Sequence, residues 1–332
     1  MNFDYSEEQQ LLADSVRRFL QDKYQFEARK KIIAGEGWSP QVWATFAEMG
    51  LTGLPLPAEY GGFGGGAVDL MGVMEAFGEA LVVEPYLATV MAARLVARGG
   101  SEAQKKAILP AVAEGRMKLA FAHDEKQRAV LGAPAADKLV VAVKGKLSLV
   151  DPGKAKMKPF RTLDNMLAAD VSIAGAPSEP LSGGREAIDE VIDFATALIC
   201  AEAVGAMKFA CDTTLEYLKT RKQFGVPIGT FQALQHRMVD MFIAYEQAKS
   251  MACLACSKVD QGEDPAERAR AVSMAKIKIA DSARHVSQEA VQLHGGMGMS
   301  EELKVSHAFR RLTVLARQFG DADRHLARLA SL

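Results

Sequence analysis

The chain has 332 residues, 49% of them hydrophobic and 24% charged, and its 40 basic and 41 acidic residues leave a net charge of −1. That balance supplies no overall field to attract nucleic acid or an anionic membrane surface. The length is enough for two or three packed units. No uncharged apolar run reaches the ~18 residues of a spanning helix. The best stretch, Phe194 to Ala201, is closed by Asp193 and Glu202. The start, Met1-Asn2-Phe3-Asp4, has no basic segment or apolar run of a signal peptide, so a soluble, cytoplasmic protein is the expectation.

Residues 1–115 read as a helical domain with clear punctuation. Ser6-Glu7-Glu8-Gln9 is a capping box ahead of Leu11, Leu12, Val16, Phe19 and Leu20. Ser39-Pro40 opens a helix with Val42, Trp43, Phe46 and Met49 inward, and Gly50 stops it. A loop rich in proline and glycine runs from Gly53 to Gly66. Glu84-Pro85 starts a helix ending at Gly99-Gly100, and Ser101-Glu102-Ala103-Gln104 is a second capping box.

The pattern changes over residues 116–183. Leu119 to His123, Lys138 to Val143 and Lys146 to Val150 are short β-branched runs among Gly, Pro and Asp, which predicts a small β module. Over residues 184–332 helical periodicity returns. Four long helices are expected, at 185–222, 231–259, 266–293 and 303–319, with short connections such as Gly262-Glu263-Asp264-Pro265. That spacing predicts a four-helix bundle. Cys253 and Cys256 form a CxxC, but the Leu254-Ala255 between them continues an apolar helical pattern. Neither a second CxxC nor paired histidines complete a metal site, and none is expected.

Two islands carry the chemistry. The first is Arg221-Lys222-Gln223-Phe224-Gly225, followed by Gln232. An arginine fork suits a pyrophosphate, a phenylalanine face suits adenine or ribose, and glycine lets the chain turn. The second is Gln292-Leu293-His294-Gly295-Gly296-Met297-Gly298, where glycines allow close backbone approach and Gln292 can hydrogen-bond a phosphate or ribose. Taken singly, Arg221 reads as a helix-end charge, Phe224 as a core residue and the glycines as an interhelical loop.

Together these islands resemble the signature segments of the acyl-CoA dehydrogenase family. The resemblance covers nearly the whole chain, including Glu59-Tyr60-Gly61-Gly62-Phe63-Gly64-Gly65-Gly66, Leu119-Ala120-Phe121-Ala122-His123 and Ala201-Glu202-Ala203-Val204-Gly205-Ala206-Met207. It is strongest to the small subunits of heteromeric members such as pimeloyl-CoA dehydrogenase. It implies a mainly α fold with an N-terminal helical domain, a shortened middle β module and a C-terminal four-helix bundle. It also implies FAD, an acyl-CoA substrate and a role in fatty acid metabolism. The expected partner is a homologous larger subunit or a second copy, as dimer or tetramer. Arg221, Phe224, Gln232, Gln292, His294, Gly295 and Gly296 would touch the ADP half of a FAD held mainly by the neighbour, and His123 would lie by the flavin edge.

The chain departs from the family at several points. The Thr-Glu pair expected after the first strand reads Asp124-Glu125, and the Arg-Asp pair of the last helix reads Arg310-Arg311. After Gln127 the sequence passes almost directly to Ala133-Pro134, as if two or more strands were omitted. The reaction needs a carboxylate to take the α-proton as the β-hydrogen leaves as hydride. Ungapped counting puts Phe319 and Ala195 at the two positions where the family carries it, and neither can accept a proton. Glu202, about 10 Å further along the helix than Ala195, and Asp321 or Asp323 are alternatives. Each also reads as a structural or solvated carboxylate. Two rival readings follow: a self-sufficient dehydrogenase with a relocated base, and a flavin-free scaffold.

Overall fold

The computed structural model describes residues 5–262 and 264–332. Met1 to Asp4 and Glu263, which belong to the start and the interhelical loop discussed above, lie outside them. In chain order come α1 (Glu7–Lys23), α2 (Phe26–Ala34), α3 (Pro40–Glu48), α4 (Ala67–Ala80), α5 (Tyr86–Gly99) and α6 (Glu102–Ala113). Seven strands follow: β1 (Leu119–Ala122), β2 (Lys126–Leu131), β3 (Lys138–Val143), β4 (Lys146–Val150), β5 (Lys156–Arg161), β6 (Leu167–Ser172) and β7 (Ser178–Leu181). The C-terminal part holds α7 (Arg185–Thr220), a hairpin of β8 (Lys222–Gln223) and β9 (Val226–Pro227), α8 (Gln232–Gln261), α9 (Pro265–His294), α10 (Lys304–Leu315) and α11 (Ala322–Ala330).

The chain divides into two compact units. One comprises residues 27–66 and 83–195, the other residues 5–26, 67–82 and 196–332. In the first unit a four-stranded sheet runs β1-β3-β4-β7, with β1 parallel to β3, and a three-stranded sheet runs β2-β6-β5. Ala120, Ala122, Leu139, Val141, Val150, Ala169 and Val171 fill the core of this β module. In the same unit the half-buried Arg94 pairs with Glu190 (2.8 Å), with its guanidinium over the Phe194 ring.

In the second unit the capping box at Ser6 starts α1 as its sequence predicts. Helix α4 has no side-chain cap of its own. Asp260 near the end of α8 serves instead, its two carboxylate oxygens accepting from the Ala67 and Val68 N–H groups at 2.7 and 2.8 Å. Helices α4 and α7 cross closely because a glycine on each faces backbone on the other. A Cβ at Gly78 would lie 1.9 Å from the Glu202 carbonyl oxygen, and one at Gly205 would lie 1.9 Å from that of Glu75. Both glycines are required by contact rather than by φ.

The C-terminal helices differ from the sequence expectation at two places. Helix α7 stops at Thr220, and residues 222–227 form a hairpin. The helix expected at 303–319 ends at Leu315, and α11 follows a corner where Phe319 and Gly320 have φ of +59° and +117°. Left-handed backbone cannot continue a right-handed helix, so the fourth helix becomes two. Helix α7 has a mean hydropathy of 1.5 over its most apolar window and is long enough to cross a membrane, but 89% of that window is buried inside the protein. A core helix meets the same description.

Candidate functional site

The two islands lie in the same unit, and one side-chain pair joins them. Tyr217, one turn before Arg221 on α7, stacks on His294 with ring centroids 4.4 Å apart, and its hydroxyl donates to the His294 carbonyl at 3.4 Å. His294 is buried, and its Nδ1 sits 2.8 Å from the Ala290 carbonyl. Burial pushes the His294 pKa below its ordinary 6.5, against the pull of that carbonyl. A neutral ring in a stack is a rigid strut, so the end of α7 and the end of α9 are held together. Tyr217 belongs to neither sequence island. Its only signal is its position one turn before Arg221.

Around this strut the predicted residues are exposed. Arg221 follows α7, its N–H donating to the Tyr217 carbonyl and its carbonyl accepting from the Ile228 N–H, both at 2.8 Å. The hairpin turns at Phe224 and Gly225, whose φ values are +53° and +84°. Two successive positive φ values are what a tight hairpin turn demands, and Asn-Gly is the usual way to meet them. A phenylalanine there is strained, and its side chain is 91% exposed. The residue thus combines left-handed backbone with an apolar side chain left in water. Phe231 packs its edge against Phe224 at 6.2 Å, and Gln232 opens α8.

Gln292 is exposed on the last turn of α9. Beyond His294, Gly295 (φ +61°) and Gly296 lead a 3-10 turn over Gly295–Met299. A Cβ at either glycine, or at Gly225, would meet no atom within 4 Å. Each of these three glycines borders open space, and the exposed Arg221 guanidinium, Gln292 amide and Phe224 face near them in the chain are groups that suit the ADP portion of a dinucleotide. His123 belongs to the other unit. It is exposed just after β1, its ring edge-on to Phe121 at 5.9 Å and its N–H donating to the Gln127 side chain. Asp124 and Glu125 beside it are exposed, and β2 begins at Lys126.

The carboxylate positions are equally clear. Ala195 is fully buried on α7 and Phe319 is half-buried in the α10–α11 corner. Glu202 is 3% exposed and takes a bidentate pair from Arg311, itself 4% exposed. Arg311 Nε donates to one oxygen at 2.6 Å and Nη2 to the other at 2.8 Å. Arg311 is the residue that replaces the second member of the family's Arg-Asp pair, so the departure has a partner within the chain. Asp321 accepts from the Arg324 N–H at 3.0 Å as the N-cap of α11, and Asp323 is exposed in that helix's first turn. Among the described residues no three His, Cys, Asp or Glu side chains gather as a metal site, and the four cysteines are free.

Comparison with known proteins identifies the family. The profile "Acyl-CoA dehydrogenase, N-terminal domain" matches residues 6–116, and "Acyl-CoA dehydrogenase, C-terminal domain" matches residues 182–331. The chain therefore belongs to the acyl-CoA dehydrogenase family, oxidoreductases acting on a CH–CH bond, and FAD is the cofactor that membership assigns. Among its relatives is the acyl-CoA dehydrogenase IpdE2 of Mycolicibacterium smegmatis, 30% identical over 98% of both chains. IpdE2 of Mycobacterium tuberculosis is 31% identical over 92% of this chain and 91% of its own. Among solved structures, a variant of the Tcur3481-Tcur3483 steroid ACAD aligns with a TM-score of 0.90 and 25% identity, covering 98% of this chain and 97% of that one. The ChsE4-ChsE5 complex from Mycobacterium tuberculosis aligns with a TM-score of 0.92 at 23% identity, over 100% of this chain and 98% of that one, a likeness of fold.

Proposed function

We propose that this chain is the base-lacking subunit of a heteromeric acyl-CoA dehydrogenase, working beside a larger homologous subunit. The observation that carries the reading is the strained, exposed Phe224 next to Gly225, in an island tied to the second one by the Tyr217–His294 stack. An aromatic face held outward at such a conformational cost is built to meet something outside its own chain. Arg221, Gln232, Gln292, Gly295 and Gly296 would lend pyrophosphate and ribose contacts to a FAD bound mainly by the neighbour. His294 would act from behind, through its stack. When bound, FAD accepts the hydride of an α,β-desaturation.

Lacking a free carboxylate at either family position, the chain would leave proton removal to the partner. Ala195 and Phe319 cannot take a proton, and both oxygens of Glu202 are engaged by Arg311. The Tcur3481-Tcur3483 protein is named as a pair of chains and as a steroid ACAD, which supports a two-chain assembly and puts steroid-derived acyl thioesters first among substrates to try. The test is acyl-CoA-dependent reduction of an artificial electron acceptor by the chain alone and by the chain co-purified with a larger homologue. Turnover only in the pair supports the proposal. A single-chain oligomer turning over at family-like rates would sink it.

A further inference from the structure

The α10–α11 corner has a feature that neither FAD nor the missing base requires. Lys276 lies midway along α9 with its side chain completely buried. Its Nζ donates to the carbonyls of Leu315, Ala316 and Gly320, each at 2.9 Å. An ammonium has three donors, and three acceptors meet them. Two of those carbonyls belong to the end of α10, where carbonyls lack helical partners. The third belongs to a glycine already on left-handed backbone.

The corner would not hold this shape unaided. Phe319 has positive φ without being glycine, and Gly320 at φ +117° is tightly enclosed, since a Cβ would lie 3.0 Å from the Arg324 side chain and 3.1 Å from that of His325. Helix α9 grips the other side as well. Ser273, one turn before Lys276, hydrogen-bonds His325 of α11 at 3.1 Å. Burial pulls the Lys276 pKa down to about 8, with Cys200 and Asp321 opposing. An apolar residue in its place would leave these three carbonyls without that donor.

We propose that Lys276 is a positioning residue that holds residues 316–321 and, through them, sets where Phe319 stands. The role is independent of whether this chain completes a flavin site. Volume alone does not explain the lysine, so its replacement by an apolar residue of similar length separates packing from positioning.

The experiment is amide hydrogen exchange on the full chain, wild type against Lys276→Met. The expected result is exchange at least about ten-fold faster at the Gly320 N–H and its neighbours, with the α9 amides unchanged; unaltered protection at the corner overturns the proposal. Lys276→Ala adds a chemical readout. Propylammonium should restore corner protection where propanol does not, and equal rescue by both would reduce the lysine to filler. Should both variants fail to fold, the wild type decides: ¹⁵N-lysine labelling should show one slowly exchanging side-chain NH₃⁺ signal near neutral pH. Its absence would contradict the three-carbonyl cage.

Discussion

Glu202 on α7 and Arg311 on α10 form a fully desolvated bidentate pair, with N–O distances of 2.6 and 2.8 Å. Removing one partner of such a pair strands the other, which costs about 3–5 kcal/mol. Glu202→Ala should therefore lower the unfolding free energy measured in urea by that order, whereas Glu202→Met with Arg311→Met should recover much of it. A catalytic Glu202 gives the opposite pattern, with activity lost and stability kept.

Phe224 offers a test in which stability and function separate. Relieving left-handed strain on a non-glycine residue is worth about 1 kcal/mol. Phe224→Gly should leave the isolated chain as stable as the wild type or more so, by thermal melting. The same change should weaken flavin retention or partner capture. Loss of stability instead would make Phe224 a folding residue.

Asp260 caps a helix that it does not belong to. Substituting a capping carboxylate typically costs about 1–2 kcal/mol, so Asp260→Ala should fall in that range by chemical denaturation. Faster exchange should be confined to the Ala67 and Val68 amides and the first turn of α4. Gly78→Ala or Gly205→Ala should destabilise further, since backbone rather than a movable side chain occupies the space.

His294 gives a pH dependence. Its folded pKa lies below the ordinary 6.5 because it is buried, so above that value both folded and unfolded states are neutral and its contribution is fully present. As pH falls below 6.5 the unfolded chain takes up the proton first, and stability is lost until the folded ring also protonates. Melting temperature should fall from pH 7 towards pH 5 more steeply in wild type than in His294→Gln. Parallel curves would count against a buried neutral ring.

The islands, the helix caps at Ser6, Ser39 and Ser101, and the strands rich in valine and leucine were legible because local chemistry determines them. Other elements were not. Strands β2 and β5 read Lys-Gln-Arg-Ala-Val-Leu and Lys-Met-Lys-Pro-Phe-Arg. They flank a three-stranded sheet as edges, where lysine and proline guard against mispairing and blur the alternation. Helix α2 hides because its buried residue is Arg29. The break between α10 and α11 falls at Phe319, whose positive φ has no counterpart in the local residue pattern. Tyr217 and Lys276 look like ordinary helical residues until the fold brings His294 and three distant carbonyls to them.

The most direct test of the central claim is the visible absorption spectrum of the chain purified alone and again with a larger homologue. The account predicts little or no flavin in the single chain and a flavin spectrum in the pair, lost again when Arg221→Ala and Phe224→Ala are combined in this chain. A stoichiometric flavin spectrum from the single chain, bleached by acyl-CoA, would contradict it.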